Sequence, residues 1–143
     1  MNAPETAAQA LGRVELRIPA KAEWVAVARL AAAAVASRMR FSIDEIDDLK
    51  LAIAEACTNC IQQSEGIGTI EIVWEASATA LRVTVNGDGR GPRIESVKSG
   101  SGEEEARAGG LGVFLIRSLM DEVEYGVDPN RGPRLVMAKH VQS

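Results

Sequence analysis

The chain has 143 residues, 46% of them apolar but only 3% aromatic, and a formal net charge of −4. That length suits one domain around one core, which must be built from Ala, Val, Leu and Ile, so helices are expected to pack closely through alanine. The acidic balance gives no basic field for nucleic acid, and no apolar run reaches the length needed to span a bilayer.

Residues 1–12 are polar and small and are expected to form a flexible segment, with residues 13–143 as one domain. The first residues show no basic stretch followed by an apolar one, so a cytoplasmic protein is expected. Val14–Ile18 alternates with period two and predicts a strand, ended by Pro19. A helical period follows over 21–39, with Trp24, Val27, Leu30, Ala34 and Val35 on one side. Ser42 and Glu45 form a capping-box signature that opens a helix over 43–63. Ile43, Ile46, Leu49, Ile53, Cys57 and Cys60 make its apolar stripe. Gly66 and Gly68 close that helix, and Thr69–Glu75 and Leu81–Val85 alternate as an antiparallel hairpin. Asn86–Pro92 is dense in turn residues, and 93–108 is a long polar stretch with the pattern of neither strand nor stable helix. A helix over 111–121 and strands Glu122–Val127 and Arg134–Lys139 complete the chain, with Asp128–Pro133 as the turn between them. The order predicts an α+β fold, a two-layer sandwich of a mixed, mainly antiparallel sheet with helices on one face.

Two segments carry chemistry. Glu55 and Asn59 stand at i and i+4, one helical turn apart, roughly opposite the apolar stripe. A carboxylate beside an amide oxygen can activate a hydroxyl and hold Mg²⁺, whereas the bland reading is a solvated polar face. Gly109, Gly110, Leu111 and Gly112 form a glycine turn that opens into an apolar helix, offering bare backbone N–H groups to phosphate. Cys57 and Cys60 form a C-x-x-C, but they lie inside a helix on its apolar stripe, with no second pair to complete a zinc site. They read as small buried hydrophobes. His140 reads as a surface residue on a strand.

The motifs at these spacings resemble the GHKL ATPase fold of histidine-kinase catalytic domains and gyrase B. Within it, the chain is most similar to small anti-sigma factors that act as protein-serine kinases, the RsbW and SpoIIAB type. The resemblance runs from about Val14 to Lys139 and is carried by Ile18–Val25, Ser37–Ser42, Ile46–Asn59 and Gly110–Val123. It implies that Glu55 is the catalytic carboxylate that takes a proton from a partner's serine. It also implies that Asn59 ligates Mg²⁺, that Gly110 and Gly112 let backbone approach the phosphates of ATP, and that about 92–108 forms a lid. The implied partners are a sigma factor and a STAS-type antagonist, with a homodimer supported by edge strands and the Ala-rich first helix.

The departures from the family pattern are specific. Aligning Gly89 and Gly91 with the family's first glycine box puts Gly87 where an Asp receives the adenine amino group, and Asp88 stands one residue late. Either the turn bends so that Asp88 serves, or adenine recognition is lost. Gln63 stands where related chains carry His; it can hydrogen-bond but carries no charge near neutrality. Two functions are therefore expected. One is an anti-sigma factor and kinase that controls sigma availability by partner switching. The other is a nucleotide-impaired module that sequesters a sigma factor or STAS partner without catalysis.

Overall fold

The computed structural model of the protein describes residues 10–87, 111–128 and 132–142. Five strands form one sheet: β1 (Ala10–Pro19), β2 (Thr69–Ser77), β3 (Ala80–Gly87), β4 (Glu122–Asp128) and β5 (Gly132–His140). Their spatial order is β1-β2-β3-β5-β4, and each of these pairings is antiparallel. The expected mixed, mainly antiparallel sheet is thus antiparallel throughout its described ladders. Strand β1 begins three residues earlier than the domain start expected at residue 13, with Ala10 opposite Ser77 and an irregularity between Ala10 and Gly12.

Three helices lie on one face of the sheet: α1 (Val25–Ala36), α2 (Ile43–Ser64) and α3 (Leu111–Leu119). A single 3₁₀ turn, Ala22–Trp24, leads into α1. The inward residues of the strands alternate as period-two pairing requires: Ile70, Ile72 and Trp74 on β2, Leu81, Val83 and Val85 on β3, Leu135 and Met137 on β5. The opposite face carries solvated pairs such as Arg13 with Glu15 and Glu75, and Arg17 with Glu71. Such exposed pairs add little stability.

Helix α2 is central and begins as its sequence dictates. The Glu45 N–H donates to Ser42 Oγ at 3.0 Å, and the Ser42 N–H donates to Glu45 Oε1 at 2.8 Å. Its end differs from expectation. Glu65, not a glycine, takes the first left-handed position (φ 55°), and Gly66 follows at φ 77°. The Gly66 N–H reaches back to the Ile61 carbonyl at 3.0 Å, which satisfies one of the last orphan carbonyls.

Alanine packing appears where expected, but on another face of α1. Ala28, Ala32 and Ala36 are buried, while Trp24, Val27 and Leu30 are exposed. The side with the large apolar residues is therefore not the core side. A small-residue line lets α1 sit close to α2 and the sheet, and larger residues there would hold it away.

In a urea titration, Ser42→Ala is expected to lower stability by about 1 kcal/mol through loss of the cap. Glu65→Gly is expected to raise it by about 0.5–1 kcal/mol, because glycine carries no steric penalty at positive φ.

Candidate functional site

Sequence periodicity places Glu55 and Asn59 away from the main apolar stripe, and the structure explains why that face is nonetheless not simply solvated. Ala52, Ala56, Asn59 and Gln63 fall at i, i+4, i+7 and i+11, a second line along α2, and all four are buried. Helix α1 packs on α2, and α3 also packs against it. Asn59 is 3% exposed, and its Oδ1 has no hydrogen-bond partner among the described residues. Gln63, one turn on, is 7% exposed. Glu55 is half-buried.

Helix α3 meets α2 at its own first turn. A Cβ built on Gly112 would stand 3.0 Å from Glu55 Oε1 and 3.7 Å from the Glu55 carbonyl oxygen. Only a residue without a side chain allows that approach with the carboxylate where it is. The first turn of α3, whose leading N–H groups have no partner within the helix, is thereby set beside the Glu55 carboxylate. Val113 and Ile116 are buried, so the helix is fixed in rotation about its axis.

Its far end is held by a residue that sequence reading passed over. Lys139 is 8% exposed, and its Nζ donates to the Leu119 carbonyl at 2.7 Å. A cation at a helix C-terminus satisfies an orphan carbonyl and opposes the negative end of the dipole. The signal was present in the sequence: Lys139 is in phase with Leu135 and Met137 and so had to face the helices. The Asp121 carboxylate accepts from the His140 N–H at 2.7 Å just beyond, and exposed His140 pairs through Nε2 with Glu122.

The other expected site residues divide into two groups. Asp88, Gly89, Gly91, Gly109 and Gly110, and the expected lid at 92–108, lie outside the described residues. Leu111 opens α3. Gly87 closes β3 opposite Ile70, in phase with buried Val83 and Val85. Position 87 therefore faces the helices, where a carboxylate would point inward, and glycine supplies none.

Asn59 Oδ1 is a hard, neutral oxygen donor buried without a partner among the described residues, and such an atom suits a hard cation. Among the described residues there is no group of three or more His, Cys, Asp or Glu that could hold a metal. One protein oxygen fits Mg²⁺ in particular, which keeps waters and takes most remaining ligands from substrate phosphates. Cys57 and Cys60, free and buried on the other side of α2, match the small-hydrophobe reading. Burial pushes the Cys57 thiol up to about 12 and raises Cys60 as well, helped by Cys57 nearby, so both are neutral and unreactive.

Residues 18–139 match the family model described as a histidine kinase-like ATPase domain. The chain is 38% identical over 139 residues to a serine-protein kinase RsbW of Bacillus mycoides (strain KBAB4), covering 91% of this chain and 86% of the relative. It is 39% identical, with the same coverage, to the serine-protein kinase RsbW of Bacillus cereus (strain B4264). The Bacillus anthracis protein of the same name is 38% identical with the same coverage.

Gly112→Ala is expected to change stability by no more than about 1 kcal/mol, because helix propensity gained offsets crowding at a flexible carboxylate. The Glu55 carboxyl ¹³C resonance should nevertheless move, which NMR of the labelled protein would detect. For the thiols the sign is set by the unfolded chain, which ionises first as pH rises. Their contribution to stability is full below pH 9 and is lost toward pH 12. Urea titrations across that range should show a shallower alkaline loss in the Cys57→Ala/Cys60→Ala double variant.

Proposed function

The chain belongs to the histidine kinase-like ATPase family, and on that premise we propose that it is an ATP-dependent protein-serine/threonine kinase that also acts as an anti-sigma factor. Its protein substrate is a STAS-type antagonist, and partner switching between that antagonist and a sigma factor sets how much sigma factor is free. The reading is supported by relatives named serine-protein kinase that align with 91% of the chain. The observation that carries it is the apposition at the middle of α2: the Glu55 carboxylate against Gly112, and the unpaired Asn59 oxygen one turn away.

The chemistry asked of these residues is modest, because phosphoryl transfer is driven by positioning and charge neutralisation. Glu55 accepts the proton of the serine hydroxyl as that oxygen bonds to the γ-phosphorus and the bond to the ADP oxygen breaks. Half-burial keeps the carboxylate reachable by a partner's side chain while limiting competing water. Asn59 would hold Mg²⁺ through Oδ1, and the ion would supply charge neutralisation at the phosphates. Gly112 keeps the first turn of α3 close enough for its N–H groups to face phosphate. Once phosphorylated, the partner carries a near-dianion next to Glu55, and repulsion favours its release.

No described helix is long and apolar enough to cross a membrane, and a cytoplasmic setting follows from the proposed partners. A homodimer would form through an exposed sheet edge, β1 or β4, because Ala28, Ala32 and Ala36 are already buried inside α1's own packing. A second reading, a nucleotide-impaired binding module, is favoured by one observation. Position 87 faces the helices without a side chain, so the carboxylate expected to read adenine is absent there.

The test is phosphotransfer from radiolabelled ATP to a purified STAS partner. Glu55→Gln should fold as the wild type and lose at least about 10²-fold in rate, the usual scale of general-base loss. Undiminished transfer by that variant would remove Glu55 from the mechanism. Wild-type protein that holds its partner but neither binds nor hydrolyses ATP would favour the binding-module reading.

A further inference from the structure

The helix that meets Glu55 is set in place from its opposite end. Leu119 closes α3, and roughly 10 Å of helix separates it from Gly112. With about two and a half turns, α3 moves as one piece. At the Gly112 end there is no slack, since a Cβ there would stand 3.0 Å from Glu55 Oε1. A small displacement at Leu119 therefore changes how the leading N–H groups of α3 stand to the carboxylate.

Three hydrogen bonds hold the far end. Arg117 Nη1 donates to the Val123 carbonyl on β4 at 3.2 Å. The Asp121 N–H donates to the Ala138 carbonyl at 3.0 Å, which ties the turn after α3 to β5. Arg117 and Asp121 are both exposed. The third bond, from Lys139 Nζ to the Leu119 carbonyl at 2.7 Å, comes from the buried face of the sheet, where Lys139 stands opposite Leu81. It is the one of the three that sets the height of α3 over the sheet.

The choice of residue is the second clue. Lys139 is almost fully buried, yet no carboxylate among the described residues pairs with it. A buried ammonium is costly unless paired, and an apolar residue of similar volume is commonly no less stable in such a place. Leu135 and Met137, in phase with it, show that this side of β5 takes apolar side chains. Packing therefore does not account for lysine, whereas a directed bond from the sheet to the end of α3 does. We propose that Lys139 is a positioning residue for the nucleotide phosphates, acting through α3 on the gap between its first turn and Glu55. The inference rests on the kinase reading and extends it to a residue a helix length from the Glu55 carboxylate.

The experiment measures kcat and KM for ATP in phosphotransfer to a purified STAS partner, together with the Glu55 carboxyl ¹³C resonance of the labelled protein without nucleotide. Lys139→Met keeps the stem and removes the donor, whereas Lys139→Arg keeps a donor. Ser42→Ala, which weakens the cap at the start of α2, is the control for lost stability. Lys139→Met is expected to raise KM for ATP about tenfold, with a smaller effect on kcat, and to move the Glu55 resonance. Lys139→Arg should recover most of the loss in KM, and Ser42→Ala should leave KM and the resonance as in the wild type. Each variant is checked by thermal melting; if the methionine chain is unfolded, Lys139→Gln takes its place with the same expected rise. Wild-type transfer with an unchanged KM in the donor-less variant, or an equal rise in Ser42→Ala, would overturn this proposal alone. No transfer by folded wild type would overturn the kinase reading, and this role of Lys139 with it.

Discussion

Helix α2 has to satisfy the sheet, α1 and α3, all of which pack against it, and the rest of the molecule is arranged around that demand. Its apolar stripe, Leu49, Ile53, Cys57 and Cys60, meets one set of neighbours, and the Ala52–Ala56–Asn59–Gln63 line is buried as well. Small residues make this possible. Ala28, Ala32 and Ala36 line the buried side of α1, and Gly112 lets the start of α3 come up to Glu55. The low aromatic content of the chain follows from the same geometry, since close helix packing leaves little room for large rings.

The second line is where stability and use diverge. A buried carboxamide oxygen without a partner costs about 1–3 kcal/mol, and Asn59 carries an oxygen with no partner among the described residues, at a buried position that alanine or leucine would fill more favourably. Glu55, one turn earlier, is half-buried against a glycine rather than released to water. An unpaired buried atom alone does not single out Asn59, since Trp74 Nε1 is another; what sets the pair apart is the approach of Gly112 to Glu55 one turn away. Lys139 belongs to the same arrangement. By tying the last carbonyl of α3 to β5 it fixes a nine-residue helix whose other end touches Glu55.

Much of this was legible in the residues. The Ser42–Glu45 box and the stripe from Ile43 to Cys60 defined α2 to within a residue, because capping and periodicity are local. The hairpin strands β2 and β3 and the element order followed from alternation and turn chemistry. What was not legible depended on neighbours distant in sequence. Apolar periodicity put Trp24, Val27 and Leu30 together but could not say that the core wanted the alanine side. Asn59 read as part of a polar face because nothing local shows that a helix some fifty residues later packs against α2. The left-handed Glu65 was hidden behind two better candidates, Gly66 and Gly68. The glycine box around Asp88 is the part of the site for which the chain pattern, not the described geometry, remains the guide.

We propose that the Asn59 oxygen is held unpaired for a metal that arrives with nucleotide. Calorimetric titration of ATP, with and without Mg²⁺, into the wild type and Asn59→Leu tests it most directly, with unfolding measured in parallel. The account predicts Mg²⁺-dependent binding at about micromolar affinity in the wild type. It also predicts a leucine variant that is at least as stable but has lost the Mg²⁺ dependence. Equal Mg²⁺-dependent affinity in both proteins, or no binding to folded wild type up to about millimolar ATP, would contradict it.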